Sequence, residues 1–321
     1  MTDHGIRSGS LQFYPRVRAK KVLPSVNWKI VLDKSGVEGV NFLGFIGYKV
    51  GMVSVSAKDM TEDSMTKNKS VIIPATILEC PALKIYSVRF YKNSNVVKEV
   101  VVSNEKDLKK KIKVSKEVKN LDSVKDLDYD DVRVIVYSDV RSAGFGKKKP
   151  DMLEIGLSGG KDEKLNFVKE KIGKDISVAD VFKIEDGLVD VRGVTKGYGT
   201  QGPVKRFGIS LKAKKSEKGQ RRPGSLAPWH PARVTFRAPM AGQTGYHNRI
   251  VYNNLILNVG KISEKDINKD SGFHRYGKIK TDYLILRGSI PGPKKRGLVI
   301  TPAIRATKFQ AKKKFEVAEL R

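Results

Sequence analysis

The sequence predicts a mainly β protein, a closed barrel of short strands that carries long basic segments. Two observations point there. Short runs rich in Val, Ile, Tyr and Phe recur along the chain between glycine turns, the pattern of a barrel rather than of a doubly wound sheet. The charge is also lopsided: 63 Lys and Arg face 34 Asp and Glu, a net +29 over 321 residues, and the excess is concentrated in a few stretches. Hydrophobic residues make up 39 %, enough for a real but lean core. This length suits two structural units, or one core with extensions.

Taken in order, residues 10–29 (SLQFYPRVRAKKVLPSVNWK) alternate basic and large apolar residues around two prolines with no helix or strand period, so they predict an extended arm. Residues 40–56 predict one or two strands joined at glycines. Residues 71–92 predict strands broken by bends at two prolines. Residues 104–120 open on an Asn cap and carry apolar residues near helical spacing, which predicts a short helix. Residues 131–138 (DVRVIVYS) predict a strand. Over 158–172, Ser158 or Gly160 precedes a helix with Leu165, Phe167, Val168 and Ile172 on a partial apolar face, stopped by Gly173. Residues 187–195 predict a strand. From 197 to 254 regular structure gives way to Gly, Pro and basic residues. Strands resume at 255–260 and 281–290, and LVIT at 298–301 is the last clear element before a basic tail. The organisation expected is an N-terminal arm (1–39), barrel strands with an inserted portion at about 60–186 (40–196), a central basic extension (197–254) and closing strands with a tail (255–321).

The location of the charge names the partner. Residues 104–186 are balanced at +1, an ordinary solvated surface. Residues 1–30 carry +5, 193–249 carry +11 and 287–321 carry +8. Single-sign runs interleaved with aromatics, prolines and glycines are suited to lie against a phosphate backbone. A membrane partner is not expected, because there is no apolar run near 18 residues and no basic amphipathic helix with an aromatic face. The first ten residues lack the apolar core of a signal peptide. Cys80 is the only cysteine, which excludes an internal disulfide and a multi-cysteine zinc site. The chain therefore reads as soluble and intracellular.

Four motifs carry chemistry. Gly197 to Gly202 (GYGTQG) matches the dinucleotide-binding glycine pattern, but that mechanism needs a helix N-terminus right after the glycines and an acid beyond the next strand. Pro203 can open a helix, but VKRFGISLKAKK follows with a glycine and no helical apolar face, and the nearby Glu217 sits in a basic loop, so close approach of the backbone to RNA phosphate is the simpler reading. Lys205 to Arg222 packs eight Lys and Arg into eighteen residues, followed by PGSLAPWHPA, stiffened by three prolines and bearing Trp229. That ring either packs on the body or stacks on a partner, where base stacking is worth about 1–3 kcal/mol. Gly242 to Arg249 (GQTGYHNR) offers the amides, rings and cation that RNA readout uses. Catalysis by His230 and His247 lacks a nucleophile elbow and patterned acids, and metal binding lacks a completing ligand. Gly292 to Gly297 (GPKKRG) is a basic turn before the strand at 298–301.

Several of these blocks are familiar. SLQFYPRVRAKK, FIGYKVGM, VRGVTKGYGTQGPVKRFG, RRPGSLAPWHPARV, AGQTGYHNR, GFHRYGKIK and GSIPGPKKR, in that order over nearly the whole chain, resemble the universal family of large-subunit ribosomal protein three, in its archaeal and eukaryotic form. The resemblance implies a barrel of the kind shared with translation factors, an inserted α/β portion and basic extensions that enter the subunit. It implies binding near the 3′ end of the large-subunit rRNA, a part in early subunit assembly, and a central extension tipped by Trp229 that reaches toward the peptidyl transferase centre without doing chemistry there. Large-subunit proteins thirteen and fourteen and the archaeal-type protein twenty-four are the implied neighbours, and the cytoplasm the implied location. Two departures stand out: Phe207 replaces a tryptophan common in the family, and no histidine lies between 205 and 229, so the modification some members carry there is not expected.

The RNA contacts expected are Arg16, Arg18, Lys20 and Lys21 in the arm; Lys196, Lys205, Arg206, Lys212, Lys214, Lys215, Lys218, Arg221, Arg222, Trp229, His230, Arg233, Arg237, Gln243, Tyr246, His247 and Arg249 in the central extension; and Lys294, Lys295 and Arg296 in the late turn. No cofactor, metal, small-molecule substrate or catalytic residue is expected. The alternatives are an rRNA-modifying enzyme, which would need a cofactor pocket, and a free RNA chaperone of subunit assembly.

Overall fold

The computed structural model describes residues 9–115, 118, 121, 127–215 and 218–320. In chain order the elements are α1 (Trp28–Ser35), β1 (Phe45–Asp59), β2 (Ser70–Cys80), β3 (Leu83–Lys92), β4 (Asn95–Val101), β5 (Asp131–Ser138), β6 (Met152–Gly156), α2 (Lys161–Lys171), α3 (Val178–Val181), β7 (Leu188–Val194), β8 (Gly197–Gln201), α4 (Pro203–Phe207), β9 (Gly242–Gly245), β10 (Asn248–Gly260), β11 (Asp282–Arg287), β12 (Gly297–Pro302), α5 (Lys308–Ala311) and β13 (Phe315–Leu320). The fold is mainly β. The chain forms two compact units, a larger one of residues 22–193 and 250–321 and a smaller one of residues 1–21 and 194–249.

The larger unit holds a closed barrel. Its strands run in the order β12, β7, β10, β11, β2, β1, and β1 pairs back onto β12. β1 is fifteen residues long and serves two partners along one edge: Phe45 lies opposite Ile300 of β12, and further on Val55 lies opposite Leu320 of β13. β2 follows its other edge, with a register shift between Lys49 and Gly51. Strand alternation sends the two faces of the barrel wall to different cores. On β11, Tyr283 and Ile285 pack with Ala75, Ile77 and Leu257, whereas Leu284 and Leu286 join Leu78, Ile256 and Leu298.

A second antiparallel sheet, in the order β4, β3, β5, β6, lies in sequence between β2 and β7, with α2 and α3 following it. Its apolar side chains, among them Val88, Phe90 and Val134, share one core with barrel residues such as Ile46 and Leu78. Its charges are spent on each other. Arg89 bridges Glu99 and Glu154, Arg133 bridges Glu154 and Asp131, and Lys164 reaches Asp131 at 2.7 Å. This is the physical content of the balanced charge over 104–186. At the seam, the Tyr48 hydroxyl donates to the Asp151 carboxylate at 2.7 Å and lies 2.7 Å from the Ser138 hydroxyl.

Several elements differ from the sequence expectation. The helix expected at 104–120 is a 3₁₀ turn at Lys106–Lys110 followed by irregular chain to 115; residues 116, 117, 119 and 120 lie outside the described residues. Leu108 is the only buried side chain of that turn, and Lys106, Lys109, Lys110 and Lys113, three or four residues apart, would repel one another on one face of a helix. The arm gains a helix at its end. Asn27 caps α1, with Oδ1 accepting from the Ile30 amide, and Trp28 is buried against Gly156, where an added Cβ would come within 2.8 Å of it. α2 takes Gly160 rather than Ser158 as its cap, and Gly173 follows its end in the left-handed region at φ 77°. The basic tail contains β13, an edge strand on β1 with Phe315 and Val317 partly buried.

Candidate nucleic-acid interface

The smaller unit concentrates the charge. Over residues 1–21 and 194–249 the sequence holds 17 Lys and Arg against two acids, Asp3 and Glu217; the remaining 244 residues hold 46 against 32. Its framework is the hairpin of β8 and β9, with Gly197 opposite Gly245 and Gln201 opposite Gly242. Gly245 sits at φ 71°, and a Cβ there would come within 2.0 Å of the Lys196 carbonyl oxygen, so only glycine fits. The GYGTQG run is therefore strand, with a bulge between Gly197 and Gly199, not a turn from strand into a long helix. α4 follows as one turn, with Pro203 at its first position and Gly208 closing it at φ 66°. Central regular structure thus persists where glycine content argues against it, because the hairpin uses glycine at its bulge and its tight approach.

A compact aromatic centre holds the unit. Phe207 is fully buried, and Tyr14 from the arm stacks on it with ring centroids 6.4 Å apart and planes at 13°. Phe236 packs on Tyr14 at 6.1 Å. Two guanidinium groups lie against Phe207, Arg16 at 4.6 Å and Arg206 at 5.0 Å from the ring centroid, within cation–π range. Arg16 donates to the Arg206 carbonyl at 3.1 Å, and Arg206 donates to the carbonyls of Gln243 at 3.1 Å and Met240 at 2.9 Å. Burial, and then the charge of Arg16, push the Arg206 and Arg249 guanidinium pKa values down. Arg249 lies over Phe13 at 4.9 Å. Among the described residues these three cations are held by carbonyl oxygens and ring faces, not by carboxylates.

The other expected contacts fall into four groups. Exposed in the smaller unit are Arg18, Lys20, Lys21, Lys196, Lys205, Lys214, Lys215, Lys218, Arg221, Arg222, His230, Arg233 and Arg237. Trp229 has 88 % of its surface exposed, so it does not pack into the body. Lys212, Gln243 and Tyr246 are half-buried; the Lys212 amide donates to the Gln220 carbonyl at 3.1 Å and ties off the basic loop. His247 is buried: its Nδ1–H donates to the Val17 carbonyl at 2.9 Å and its amide to the Thr195 hydroxyl at 3.1 Å, so it fastens the arm to the hairpin. Lys294, Lys295 and Arg296 belong to the larger unit, the first two exposed. Sequence reasoning missed Tyr198 on this surface and the packed rings of Tyr14 and Phe207 beneath it. Tyr198 is half-exposed, with Lys196 and Lys205 each 5.8 Å from its centroid. The alternation of cation and ring in FYPRVR and KRFG was the available signal. Among the described residues, no three His, Cys, Asp or Glu side chains gather where they could share a metal ion.

Comparison with known proteins decides what this basic unit belongs to. The family profile described as "Ribosomal protein L3" matches residues 3–99 and 89–319. The chain belongs to the ribosomal protein L3 family. Among its relatives, the large ribosomal subunit protein uL3 of Methanothermobacter thermautotrophicus is 41 % identical, over 94 % of this chain and 93 % of the relative. That of Methanocaldococcus jannaschii is 40 % identical over 93 % and 91 %, and that of Archaeoglobus fulgidus 38 % identical over 96 % and 94 %. The L3 family match spans both units, including the basic centre around Phe207.

Proposed function

We propose that this chain is a structural constituent of the large ribosomal subunit that binds and shapes rRNA, and that it is not an enzyme. The observation that carries the reading is the cluster of Arg16, Arg206 and Arg249, three half-buried cations that pair with no acid among the described residues of the unit that carries the family's basic blocks. Such a cluster is self-repelling until a polyanion lies against it. The larger unit supplies the docked body, and the arm with the central extension lies between RNA helices, where its Lys and Arg lower phosphate repulsion. Within the proposal, the chain binds near the 3′ end of the large-subunit rRNA and supports early assembly. Trp229 stands at the tip of the extension toward the peptidyl transferase centre and stacks there. Proteins thirteen, fourteen and twenty-four are its neighbours in the family arrangement.

The test is binding of the purified chain to a transcript of the 3′ domain of large-subunit rRNA, titrated with salt in the presence of excess tRNA. Six to ten phosphate contacts lose roughly 10³- to 10⁵-fold in affinity between 50 and 200 mM salt. A loss of that size, with the rRNA preferred over tRNA, supports the proposal. Weak binding with a shallow salt dependence overturns it.

A further inference from the structure

We infer that the larger unit carries a second RNA-binding surface at one end of the barrel, built from three basic loops clamped together around the buried carboxylate of Glu79. The loops are 140–150, 272–281 and 288–297. Together they hold ten Lys and Arg and no acid. They lie at one end because Tyr48 of β1, Glu79 of β2, Tyr283 of β11 and Gly297 of β12 are register partners at the same level of the wall.

The clamp is specific. Glu79 is fully buried and accepts from the amides of Gly144 at 3.1 Å, Lys280 at 2.9 Å and Thr281 at 3.4 Å, and from the Tyr276 hydroxyl. The first two loops also touch through their backbones: a Cβ added at Gly144 would fall 1.7 Å from the Lys278 carbonyl oxygen, a distance only glycine permits. The Phe145 and Tyr276 rings meet beneath them at 5.4 Å. The third loop joins through Lys294, whose ammonium donates to the His274 carbonyl at 2.6 Å, and through Lys49, which donates to the Ile290 and Gly292 carbonyls.

What the clamp presents is charge alone. Arg141 pairs with Asp107 and Lys147 with Asp151, which takes them out of the count. Lys148, Lys149, Arg275, Lys278, Lys280 and Lys295 remain exposed. None of the large apolar side chains exposed in the protein belongs to these loops. A protein partner is recognised through buried aromatic and aliphatic anchors, which this surface lacks. A fixed array of ammonium and guanidinium groups suits a phosphate backbone, and its rigidity spares the ordering cost that a flexible segment incurs. Five of these six residues lie outside the basic segments from which RNA contacts were expected.

The inference rests on the RNA-binding reading above, and its test separates the two. The full-length K148Q/K149Q/K278Q/K280Q variant changes only exposed side chains, and its melting temperature checks the fold. It is compared with the wild type and with K214Q/K215Q/R221Q/R222Q in the central extension, on the same rRNA transcript, by salt titration and hydroxyl-radical footprinting. The expected result is a salt slope shallower by roughly 2–4, with loss of a protected stretch different from the one lost by the central variant. A wild-type slope and footprint, alongside a weakened central variant, overturns the second surface and leaves the RNA-binding reading standing. Failure of the wild type itself to protect the rRNA overturns both.

Discussion

Phe207 sits where two cations need a common wall. With Arg16 on one approach and Arg206 on another, and Tyr14 stacked on it, the ring joins the N-terminal arm to the central segment across nearly two hundred residues of sequence. Phe207→Ala removes a fully buried ring and should cost about 3–5 kcal/mol, read as faster proteolysis within 194–249 while the barrel stays resistant. Trp229→Ala should behave in the opposite way. Its ring is 88 % exposed, so the free protein should melt unchanged while rRNA affinity falls by about 1–3 kcal/mol. In ribosomes the same change should leave assembly largely intact and alter decoding or drug sensitivity; wild-type translation would count against the stacking role. Glu79→Gln keeps the shape but turns an amide donor toward backbone donors. It should cost about 1–3 kcal/mol in denaturant unfolding, a penalty a merely solvent-facing residue would not show.

Among the elements, those with a clean period were legible and those built on glycine or charge were not. β5 alternates buried Val132, Val134 and Val136 with half-buried Asp131, Arg133 and Ile135, β7 is buried along its whole length, and both lie where the Val and Ile content places them. β8 and β9 consist of Gly, Thr, Gln and Tyr, so neither propensity nor alternation marks them; the pairing of two distant segments does. β13 reads as a charged tail because its alternation, Phe315 and Val317 against Glu316, is short and follows three consecutive lysines. The long link between β1 and β2 carries a local pH dependence. Asp59 accepts from the Thr61 amide at 2.9 Å and from the Thr66 and Ser64 hydroxyls at 2.5 and 2.7 Å, which hold its carboxyl well below the usual range. A depressed carboxyl stabilises the fold at pH above its unfolded value near about 4, and that contribution is lost as pH falls toward the folded value. Wild type and Asp59→Asn should therefore differ in melting temperature at pH 6 and converge in stronger acid; a constant difference would contradict this.

For the whole molecule, the division of charge matters more than its total. A net +15 on residues 1–21 and 194–249 and +14 on the other 244 give one chain a densely basic unit and a more ordinary body. The resemblance carried by the basic blocks identified the family, and the aromatic centre that organises those blocks appears only in three dimensions, because Tyr14, Phe207 and Phe236 are far apart in sequence. The residues expected to contact rRNA were chosen by type and position in the basic blocks, and the structure buries one of them, His247, against Val17. The central claim is that this chain stays in the finished large subunit as a structural part. Sedimentation of a cell lysate through a high-salt sucrose gradient, with the chain quantified against large-subunit rRNA in each fraction, tests it most directly. One copy per large subunit, retained through the salt wash, is the predicted result; a chain that washes off, or that runs only with precursor particles, would contradict it.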